Sequence, residues 1–505
     1  MAKNYFILLL FTATTNFYAQ KPITAKLLDS STKKEIPFAT VTFNNKSGVI
    51  SNENGVFQLY INVNPSETDS LFLSCLGYEN KNIAVLKFTD SIIYLDPKSI
   101  ELDQVLVSNK TYTAEEIIEK ANENLERNYK NDFKKSTLFF RESYYSNHLK
   151  NEAKVKTSTI PEINQKLVDS VLQILPKQAN SHTEILAELY AQNSLELPQK
   201  LNIVKAAHLY NKNDELSLES LEEKFNLIFK KHIKRDSYFK IKSGIFGVKQ
   251  DIDSSFFGDN DNPEKTEAYL EDQEKLEQDN KAHFLKHRKQ TITDIEKKSF
   301  TSKHSFLDLL KKTGKYNLEL SGLQYIDNDF VYKITFTPKR SATYQGTAYI
   351  STDDFAIIRL EYKNVKPLRN FNLFGISYNE SVHKGIIMYS KSEQTNIYNL
   401  KYAESETFNK IGFKRPLKIM EKNKHTKGRR KQNELETDLH FIVTNKVKKE
   451  LVVFENTPIT ETQFNDFTEH PDTKPTYLPR YDPEFWNGHN VIEPNQAIKN
   501  FKSLD

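Results

Sequence analysis

The 505-residue chain is organised around an N-terminal stretch that reads Ile23-Thr-Ala-Lys-Leu-Leu-Asp29, Pro37-Phe-Ala-Thr-Val-Thr-Phe43, Gly48-Val-Ile-Ser-Asn-Glu-Asn-Gly55-Val-Phe57 and Leu71-Phe-Leu-Ser-Cys-Leu-Gly-Tyr78. Short runs rich in Val, Ile, Phe and Thr alternate here with polar turn sequences, a pattern typical of a small β-sandwich. Gly55 follows Asn54 between two such runs, where a tight turn requires a positive φ angle. The stretch therefore predicts an architecture, but it does not by itself indicate a reaction.

The segment before this stretch has the pattern of a secretory signal peptide. Lys3 precedes the apolar run Tyr5–Phe11, and Ala19 stands before a suitable cleavage point. The run is too short to span a bilayer, and no later run has the length of a membrane helix. We therefore predict a signal peptide over 1–19 and an exported chain without a transmembrane span, located in the periplasm or at the outer membrane.

The composition narrows the class of protein. The chain has 71 Lys and Arg against 67 Asp and Glu, a net charge of +4, which does not favour nucleic acid as a partner. The single cysteine, Cys75, excludes an intramolecular disulfide framework, and its spacing from Leu71 and Leu73 predicts a core position on one strand face. Only 14 glycines are present, which leaves little material for phosphate-binding glycine loops.

We predict a multi-domain α+β protein. The N-terminal antiparallel β-sandwich covers 20–108, a mainly helical segment covers 109–313, an antiparallel β-meander or half-barrel covers 314–457, and an irregular tail covers 458–505. Thr113 and Glu116 have the spacing of a capping box, so a helix is predicted to start there. In the tail, Phe485 and Trp486 are expected to dock onto the parent domain.

The third segment carries a series of strand-like runs separated by polar turns. The predicted strands are Tyr316–Leu320, Phe330–Phe336, Thr343–Ile350, Ala356–Tyr362, Ile386–Ser392, Ile397–Ser405, Leu417–Glu421, Glu436–Thr444 and Leu451–Phe454. Consecutive hairpins of this kind form an antiparallel meander.

The search for chemistry finds no motif of a catalytic or cofactor site. His148 with Glu152, and His283 with His287, have helix-compatible spacing, but the second pair is surrounded by lysines that repel a cation. Asp259-Asn-Asp-Asn262 lacks the Gly and closing Glu of a calcium loop. We therefore predict no metal, no cofactor and no enzymatic activity.

The strongest charge run is Lys422–Lys431, which lies between two predicted strands. Its cations are Lys422, Lys424, Lys427, Arg429, Arg430 and Lys431. They are candidates for contact with lipid headgroups or an acidic partner, and the alternative is a solvated hairpin loop. No neighbouring aromatic residues are available to stack on bases, which argues against nucleic acid.

The stretch 22–108 resembles the carboxypeptidase regulatory-like domain, a transthyretin-like β-sandwich, of exported Bacteroidetes proteins. The matching residues are Asp29, Glu35, Pro37, Ala39, Val41, Gly48, Ser51, Asn52, Gly55, Phe57, Ser74, Gly77 and Tyr78. In zinc carboxypeptidases this module is an accessory to a separate catalytic domain, so the resemblance does not imply peptidase activity. Ala25 stands where the family usually has Gly.

The remainder resembles envelope proteins of the same group through Thr113–Ala121 and Phe140–Tyr145. Tyr332–Phe336 and Gly346–Ser351 are similar to the half-barrel of Lol-type lipoprotein carriers. The leading hypothesis is a non-enzymatic cell-envelope binding or scaffolding protein with an envelope protein or the outer-membrane surface as partner. The alternatives are a periplasmic lipid or lipoprotein carrier and, third, a secreted hydrolase. A filled core beneath Phe330–Phe336 is expected, whereas a carrier would leave an open apolar cavity there.

Overall fold

The computed structural model describes residues 22–44, 47–61, 63–89, 91–98, 112–130, 133–192, 198–234, 236–251, 264–326, 329–339, 341–426, 428 and 430–503. The predicted signal peptide over 1–19, the predicted exit strand Ile100–Val107 and the segment 259–262 lie outside these residues. Within the part of the chain that is described, no helix is both long enough and apolar enough to cross a membrane.

Two small sheets form the N-terminal module. Its strands are β1 (Ile23–Asp29), β2 (Thr40–Phe43), β3 (Ser47–Ile50), β4 (Val56–Leu59), β5 (Ser70–Ser74), β6 (Lys81–Ala84) and β7 (Ile92–Leu95). The orders are β4-β1-β7 and β3-β2-β5-β6, and every pair is antiparallel except β1 with β7. Leu27 and Phe57 of the first sheet share one core with Val41 and Leu71 of the second, which confirms the predicted sandwich.

The turn residues of the module have definite structural roles. Gly55 has a φ of 74°, and an added Cβ would lie 2.7 Å from the Leu27 carbonyl oxygen, so only glycine is accommodated. The Asn52 side-chain oxygen accepts hydrogen bonds from the amides of Asn54 and Val56. Cys75 is buried in the module core, as its strand pattern predicts.

A 14-stranded sheet forms the body of the protein. Its strands are β8 (Phe133–Ser158), β9 (Gln178–Gln192), β10 (Lys200–Leu209), β11 (Ser237–Ser243), β12 (Phe246–Asp251), β13 (Tyr316–Ile326), β14 (Asp329–Pro338), β15 (Tyr344–Ser351), β16 (Ile357–Asn364), β17 (Arg369–Leu373), β18 (Ile376–Lys391), β19 (Tyr398–Asn423), β20 (Lys431–Pro458) and β21 (Thr476–Leu478). The main order is β13-β14-β15-β16-β18-β19-β20-β8-β9-β10-β21, while the hairpin β11–β12 pairs with β19 and β17 pairs with β18. The last long strand, β20, therefore joins the predicted meander to the strands β8–β10 that precede it in the chain.

The two faces of this sheet bury different partners, as the strand period of two requires. Leu138 and Phe140 of β8 belong to the main hydrophobic cluster on what we call the helical face. Phe139, between them, belongs to a second cluster on what we call the sandwich face, together with Ile50 of the module and Trp486 of the tail. The module and the tail thus cover one face, and helices cover the other.

Seven α-helices accompany the strands among the described residues. They are α1 (Ala114–Glu123), α2 (Leu125–Tyr129), α3 (Gln165–Ile174), α4 (Lys212–His232), α5 (Glu264–Lys298), α6 (Glu461–Asp466) and α7 (Gln496–Lys499). Helix α1 begins with the predicted capping box: the Thr113 hydroxyl accepts from the Glu116 amide, and the Glu116 carboxylate accepts from the Thr113 amide. Leu285 and Ile292 anchor α5 in the cluster of the helical face.

The prediction of a mainly helical segment over 109–313 was wrong in part. The five helices α1–α5 are present, but this interval also contains β8–β12, all of which belong to the large sheet. In β9 the run Glu184–Leu189 consists of good helix formers, yet it pairs with β8 on one side and β10 on the other. Pairing and burial on both edges override the local helix propensity.

The strands of the meander are longer than the sequence pattern predicts. The runs predicted at Ile397–Ser405 and Leu417–Glu421 are parts of one strand, β19, and those at Glu436–Thr444 and Leu451–Phe454 are parts of β20. The backbone pairing continues through the polar residues between the runs, and some of these residues, among them Lys448 and Glu450, are buried. Beneath β14, Ile334 and Phe336 are buried in the main cluster, so a filled core is present at this place.

Candidate functional site

A cavity of about 590 Å³ lies between α5 and the helical face of the sheet. Helix α5 forms one wall, and the strands β16, β18, β19 and β20 form the other, with the loop that carries Phe306 at one end. We call this space the α5 cleft. Its volume is within the range of small-molecule sites, about 300–1,000 Å³.

The apolar lining of the cleft comes from neighbouring strands. Ile387 of β18 pairs directly with Ala403 of β19, and Val447 of β20 lies further along the sheet, opposite Thr407 of β19; all three line the wall that faces α5. Ile295 of α5 faces them from the opposite wall. Because alternate strand residues face the same side, this apolar strip follows directly from the pairing register.

An aromatic corner around His383 closes one end of the cleft. The imidazole lies 4.7 Å from the Phe306 ring centroid and 5.4 Å from that of Tyr362. The Tyr344 hydroxyl lies 2.8 Å from His383 Nδ1. Burial, with a smaller contribution from Lys298, lowers the pKa of His383 to about 4. His383 is therefore neutral at pH 7 and offers the cleft a fixed hydrogen-bonding group rather than a charge.

Ion pairs close the side of the cleft nearest β8. Arg288 of α5 lies 2.6 Å from a carboxylate oxygen of Glu142, and Lys449 lies 3.5 Å from the other oxygen. Burial opposes ionisation of Glu142, but Arg288 and Lys449 lower its pKa, so the carboxylate stays charged. Burial and the adjacent Arg288 lower the pKa of His287. These contacts fasten α5 to the sheet and balance the charges at this side.

The arrangement suits a ligand with an apolar part and a few hydrogen-bonding groups. The apolar strip of Ile387, Ala403 and Val447 would bury the apolar part, and Ser405 and Thr407 supply hydroxyls beside it. At about 25 cal/mol per Å² of buried apolar surface, such a strip provides the larger share of binding free energy. The polar groups then fix the orientation of the ligand.

A second cavity of about 630 Å³ lies on the other side of the α5 C-terminus, beneath α2. Tyr129, Tyr389 and Tyr398 line it and pack against one another edge to face or tilted. The Tyr129 hydroxyl donates to the Ile357 carbonyl, and the Tyr389 hydroxyl lies 3.0 Å from Ser299 Oγ. Because these hydroxyls already have protein partners, we assign the primary site to the α5 cleft.

The sandwich face, in contrast, is closed by a buried ionic network. Arg141 is 1% exposed, and its guanidinium donates to Glu184 at 2.6 Å and to the Ile492 carbonyl at 2.8 Å. The Trp486 indole donates to the other oxygen of Glu184 at 2.8 Å. The tail, whose aromatic residues were predicted to dock, is thus held by a charged cluster as well as by apolar packing.

The same network reaches the N-terminal module through Lys448. Its ammonium lies 2.6 Å from Glu53 of the module, 3.2 Å from Glu404 and 3.3 Å from Glu450. Burial lowers the pKa of Lys448, but the three carboxylates outweigh burial and raise it. Asn52 adds a side-chain hydrogen bond to the Glu493 carbonyl of the tail. The module, sheet and tail therefore meet in one fixed contact.

Of the predicted cation cluster of Lys422, Lys424, Lys427, Arg429, Arg430 and Lys431, the described members lie at the end of β19 and the start of β20. Lys422 pairs in register with Lys431, and Lys431 lies 2.5 Å from Glu434. The backbone amide of Lys424 donates to the Asp236 carbonyl. Arg430 is exposed, and Lys427 and Arg429 lie outside the described residues. None of the four described cations lines the α5 cleft or the second cavity, and their contact with a partner stays a prediction.

The two histidine pairs lie on different kinds of element. His148 and Glu152, whose spacing is compatible with a helix, both lie on the strand β8, which pairs with β20. His283 and His287 are on α5, as predicted, and His287 contacts Arg288. No three His, Cys, Asp or Glu side chains are grouped as a metal site requires anywhere in the described ranges.

The α5 cleft was not predicted from the sequence. The spacing of Leu285, Ile292 and Ile295 indicates an apolar stripe on α5 and is the one signal that points to this wall. Nothing in the sequence indicates that Phe306 and His383 meet, since 77 residues separate them in the numbering. Their contact depends on the register of β18 in the large sheet.

Comparison with known proteins supports the assignment of the N-terminal module. Residues 23–107 match the family model of the CarboxypepD_reg-like domain. No curated protein matches the sequence significantly. Among solved structures, a domain of Vibrio parahaemolyticus described as an outer membrane lipoprotein-sorting protein is similar at 10% identity and a TM-score of 0.20, over 70% of this chain and 97% of that one.

The Pseudomonas aeruginosa MucA/MucB complex is also similar, at 7% identity and a TM-score of 0.16, over 66% of this chain and 93% of that one. A structure of MucB in complex with MucA(peri) gives 7% identity and a TM-score of 0.16, over 65% and 94%. TM-scores this low carry no argument about function. The functional argument therefore rests on the geometry of the α5 cleft.

Proposed function

We propose that this protein is an exported, non-enzymatic binding protein of the cell envelope, and that the α5 cleft holds a small amphipathic ligand. The cavity of about 590 Å³ with an apolar strip on the sheet and polar groups at its ends carries this proposal. The N-terminal carboxypeptidase regulatory-like module supports an envelope role, since such modules are accessory domains.

The polar groups of the cleft favour binding over catalysis. His383 is neutral and held by Tyr344, and His287 is held by Arg288. A general base acts best with a pKa near the working pH, whereas the pKa of His383 is lowered to about 4. Both side chains therefore serve as fixed walls that orient a ligand.

The presence of the cleft favours ligand binding over a purely scaffolding role in which the chain only joins other proteins. On the sandwich face, the module and the tail pack around the ionic network, and Arg141 is 1% exposed there. The helical face is filled beneath Ile334 and Phe336 but open beneath α5. The α5 cleft provides both volume and apolar surface, and a lipid carrier would use this space rather than the filled region beneath β14.

Titration with a dansyl-labelled fatty acid tests the proposal. The substitution Ser405→Phe places a bulky ring in the cleft on a strand that tolerates aromatic residues. We expect wild-type protein to bind the probe saturably and the variant to bind at least tenfold more weakly, a difference of about 1.4 kcal/mol.

The matched control is Thr337→Phe, which adds the same ring at an exposed position of β14 outside the α5 cleft. This variant should bind the probe as the wild type does. Equal binding by wild type and Ser405→Phe, or no saturable binding by the wild type, would contradict the assignment of the cleft.

A further inference from the structure

Two hairpin tips present exposed apolar side chains next to each other at one end of the sheet. Ile245 and Phe246 belong to the hairpin β11–β12 and are 80% and 54% exposed. Leu373 and Phe374 belong to the hairpin β17–β18 and are 60% and 59% exposed. The rings of Phe246 and Phe374 lie 6.1 Å apart. We call these four residues the tip patch.

The turn chemistry does not account for these residues. Leu373 pairs with Ile376, so Phe374 and Gly375 form a two-residue turn, and both have positive φ, 49° and 78°. Asn, Asp or Gly is favoured at the first of these positions, and a phenylalanine there is unusual. In the other hairpin, Gly244 provides the positive φ, and Ile245 occupies the most exposed turn position. Folding alone would favour polar residues at both tips.

The tips are held together by the middle of β19. The Lys414 amide donates to the Gly375 carbonyl at 2.7 Å, which fixes the second tip to β19. The Arg415 guanidinium donates to Ser243 Oγ at 2.9 Å and lies 5.0 Å from the Phe246 ring centroid. The tip patch is therefore a fixed surface and not a chance meeting of two loops.

Basic residues surround the tip patch. The segments 240–249, 369–376 and 410–418 contain eight Lys and Arg and no Asp or Glu. Five of these cations are exposed, namely Lys242, Lys249, Arg369, Lys410 and Lys414. Lys249 is paired with Asp251 at 3.2 Å, whereas Lys418 and the buried Arg415 are engaged within the protein. We call the five exposed cations the basic collar. An apolar tip patch surrounded by this collar complements a surface with an apolar interior and anionic groups at its boundary.

From this complementarity we infer that the tip patch docks the protein on a bilayer with anionic headgroups. Ile245, Phe246, Leu373 and Phe374 would enter the boundary between headgroups and acyl chains, while the collar meets the phosphates. The inference is independent of the ligand in the α5 cleft. It also differs from the run Lys422–Lys431, which carries cations without exposed apolar tips.

Vesicle co-sedimentation of the full chain tests this inference. Vesicles of phosphatidylcholine with about one third phosphatidylglycerol should bind the protein, and vesicles of phosphatidylcholine alone should bind it much less, because the collar needs anionic headgroups. The paired substitution Ile245→Ser with Phe374→Ser should weaken binding more than tenfold, since two tips lose their apolar burial. Charge reversal by Lys242→Glu with Lys414→Glu should also weaken binding, and should reduce its salt dependence.

The matched control is Leu86→Ser, which removes a comparably exposed apolar residue, 58% exposed, from the N-terminal module. This variant should bind vesicles as the wild type does. Absence of vesicle binding by the wild type, or unchanged binding by the Ile245→Ser/Phe374→Ser variant, would overturn the inference. Analytical ultracentrifugation gives a further check. If the wild type is a dimer, and the variant is a monomer that still binds vesicles, the tip patch contacts a second copy of the chain and the inference is overturned.

Discussion

The two faces of the large sheet bury charge in opposite ways. On the sandwich face, Arg141, Glu184 and Lys448 form a network that joins sheet, module and tail, and Arg141 is buried there. On the helical face, Glu142 and Arg288 pair at the side of a cleft that stays open under α5. Arg141 and Glu142 are neighbours on β8 and therefore face opposite sides of the sheet. The first belongs to a buried ionic network, and the second to an ion pair at the edge of a cavity.

The largest effect is expected from breaking the network of the sandwich face at its most buried member. Arg141→Met leaves the buried Glu184 without its cation, while Glu450 keeps Lys448, and we expect a loss of about 3–5 kcal/mol in the free energy of unfolding. Denaturant unfolding followed by fluorescence measures this change. Lys135→Met is the control, because Lys135 and its partner Glu188 are partly exposed and should contribute about 0–1 kcal/mol. A loss below 1 kcal/mol for Arg141→Met would mean that the face is not closed by this network.

The pH dependence of stability compares a histidine from each face. Burial lowers the pKa of His182 on the sandwich face to about 3, with smaller contributions from Arg141 and His208, and lowers that of His383 in the cleft to about 4. Below about pH 6.5 each histidine binds a proton in the unfolded chain but not in the folded protein. The folded protein is therefore most stable above this pH, and it loses stability as the pH falls toward the lowered pKa of each histidine.

We expect His182→Gln to remove more of the acid-dependent loss between pH 6.5 and pH 3 than His383→Gln does, because the pKa of His182 is lowered further. Unfolding free energies measured across this range check the order. A steeper effect for His383 than for His182 would show that the cleft, rather than the sandwich face, is the more closed environment.

A smaller effect is expected where the tail joins the network. Trp486→Phe keeps an aromatic ring but removes the donor to Glu184, and we expect a loss of about 1–3 kcal/mol. Phe485→Leu, at a half-buried neighbour without such a bond, should cost less than about 1.5 kcal/mol. Limited proteolysis of the tail together with thermal unfolding measures both. Equal losses of stability in the two variants would mean that apolar packing alone, and not the hydrogen bond to Glu184, holds the tail in place.

The smallest effect concerns the helical face. Thr113→Ala removes the N-cap acceptor of α1 and should cost about 1 kcal/mol, because the Glu116 amide loses its partner. Circular dichroism during thermal unfolding measures this loss. Thr113→Ser, which retains a hydroxyl acceptor, should restore most of it. No difference between the two variants would mean that packing of Ile117 and Ile118, rather than the cap, determines the start of α1.

The sequence predicts those parts of the fold that local patterns specify. The alternation around Phe57 predicts the sandwich, and the Thr113–Glu116 spacing predicts the start of α1. The run Glu184–Leu189 is misleading, because its helix formers are placed in β9 by pairing on both sides. The joining of β8 to β20 is equally hidden, since it pairs residues about 300 positions apart and no local pattern encodes it.

The candidate site depends almost entirely on such distant pairings. Ile387 meets Ala403, and Thr407 meets Val447, only because β18, β19 and β20 pair in this register. His383 reaches Phe306 through the same register. The basic run Lys422–Lys431 is prominent in the sequence, yet it lies away from the cleft. Charge runs are visible in a sequence, whereas a cavity is a property of the assembled sheet.

Native mass spectrometry tests the central claim, that the α5 cleft holds a small amphipathic ligand, most directly. The full chain is isolated from the envelope of its own source under mild conditions and compared with the Ser405→Phe variant isolated in the same way. We expect the wild type to carry one small amphipathic molecule per chain and the variant to carry none. A wild type without any bound molecule, or a variant that retains the same molecule in the same amount, would contradict the claim.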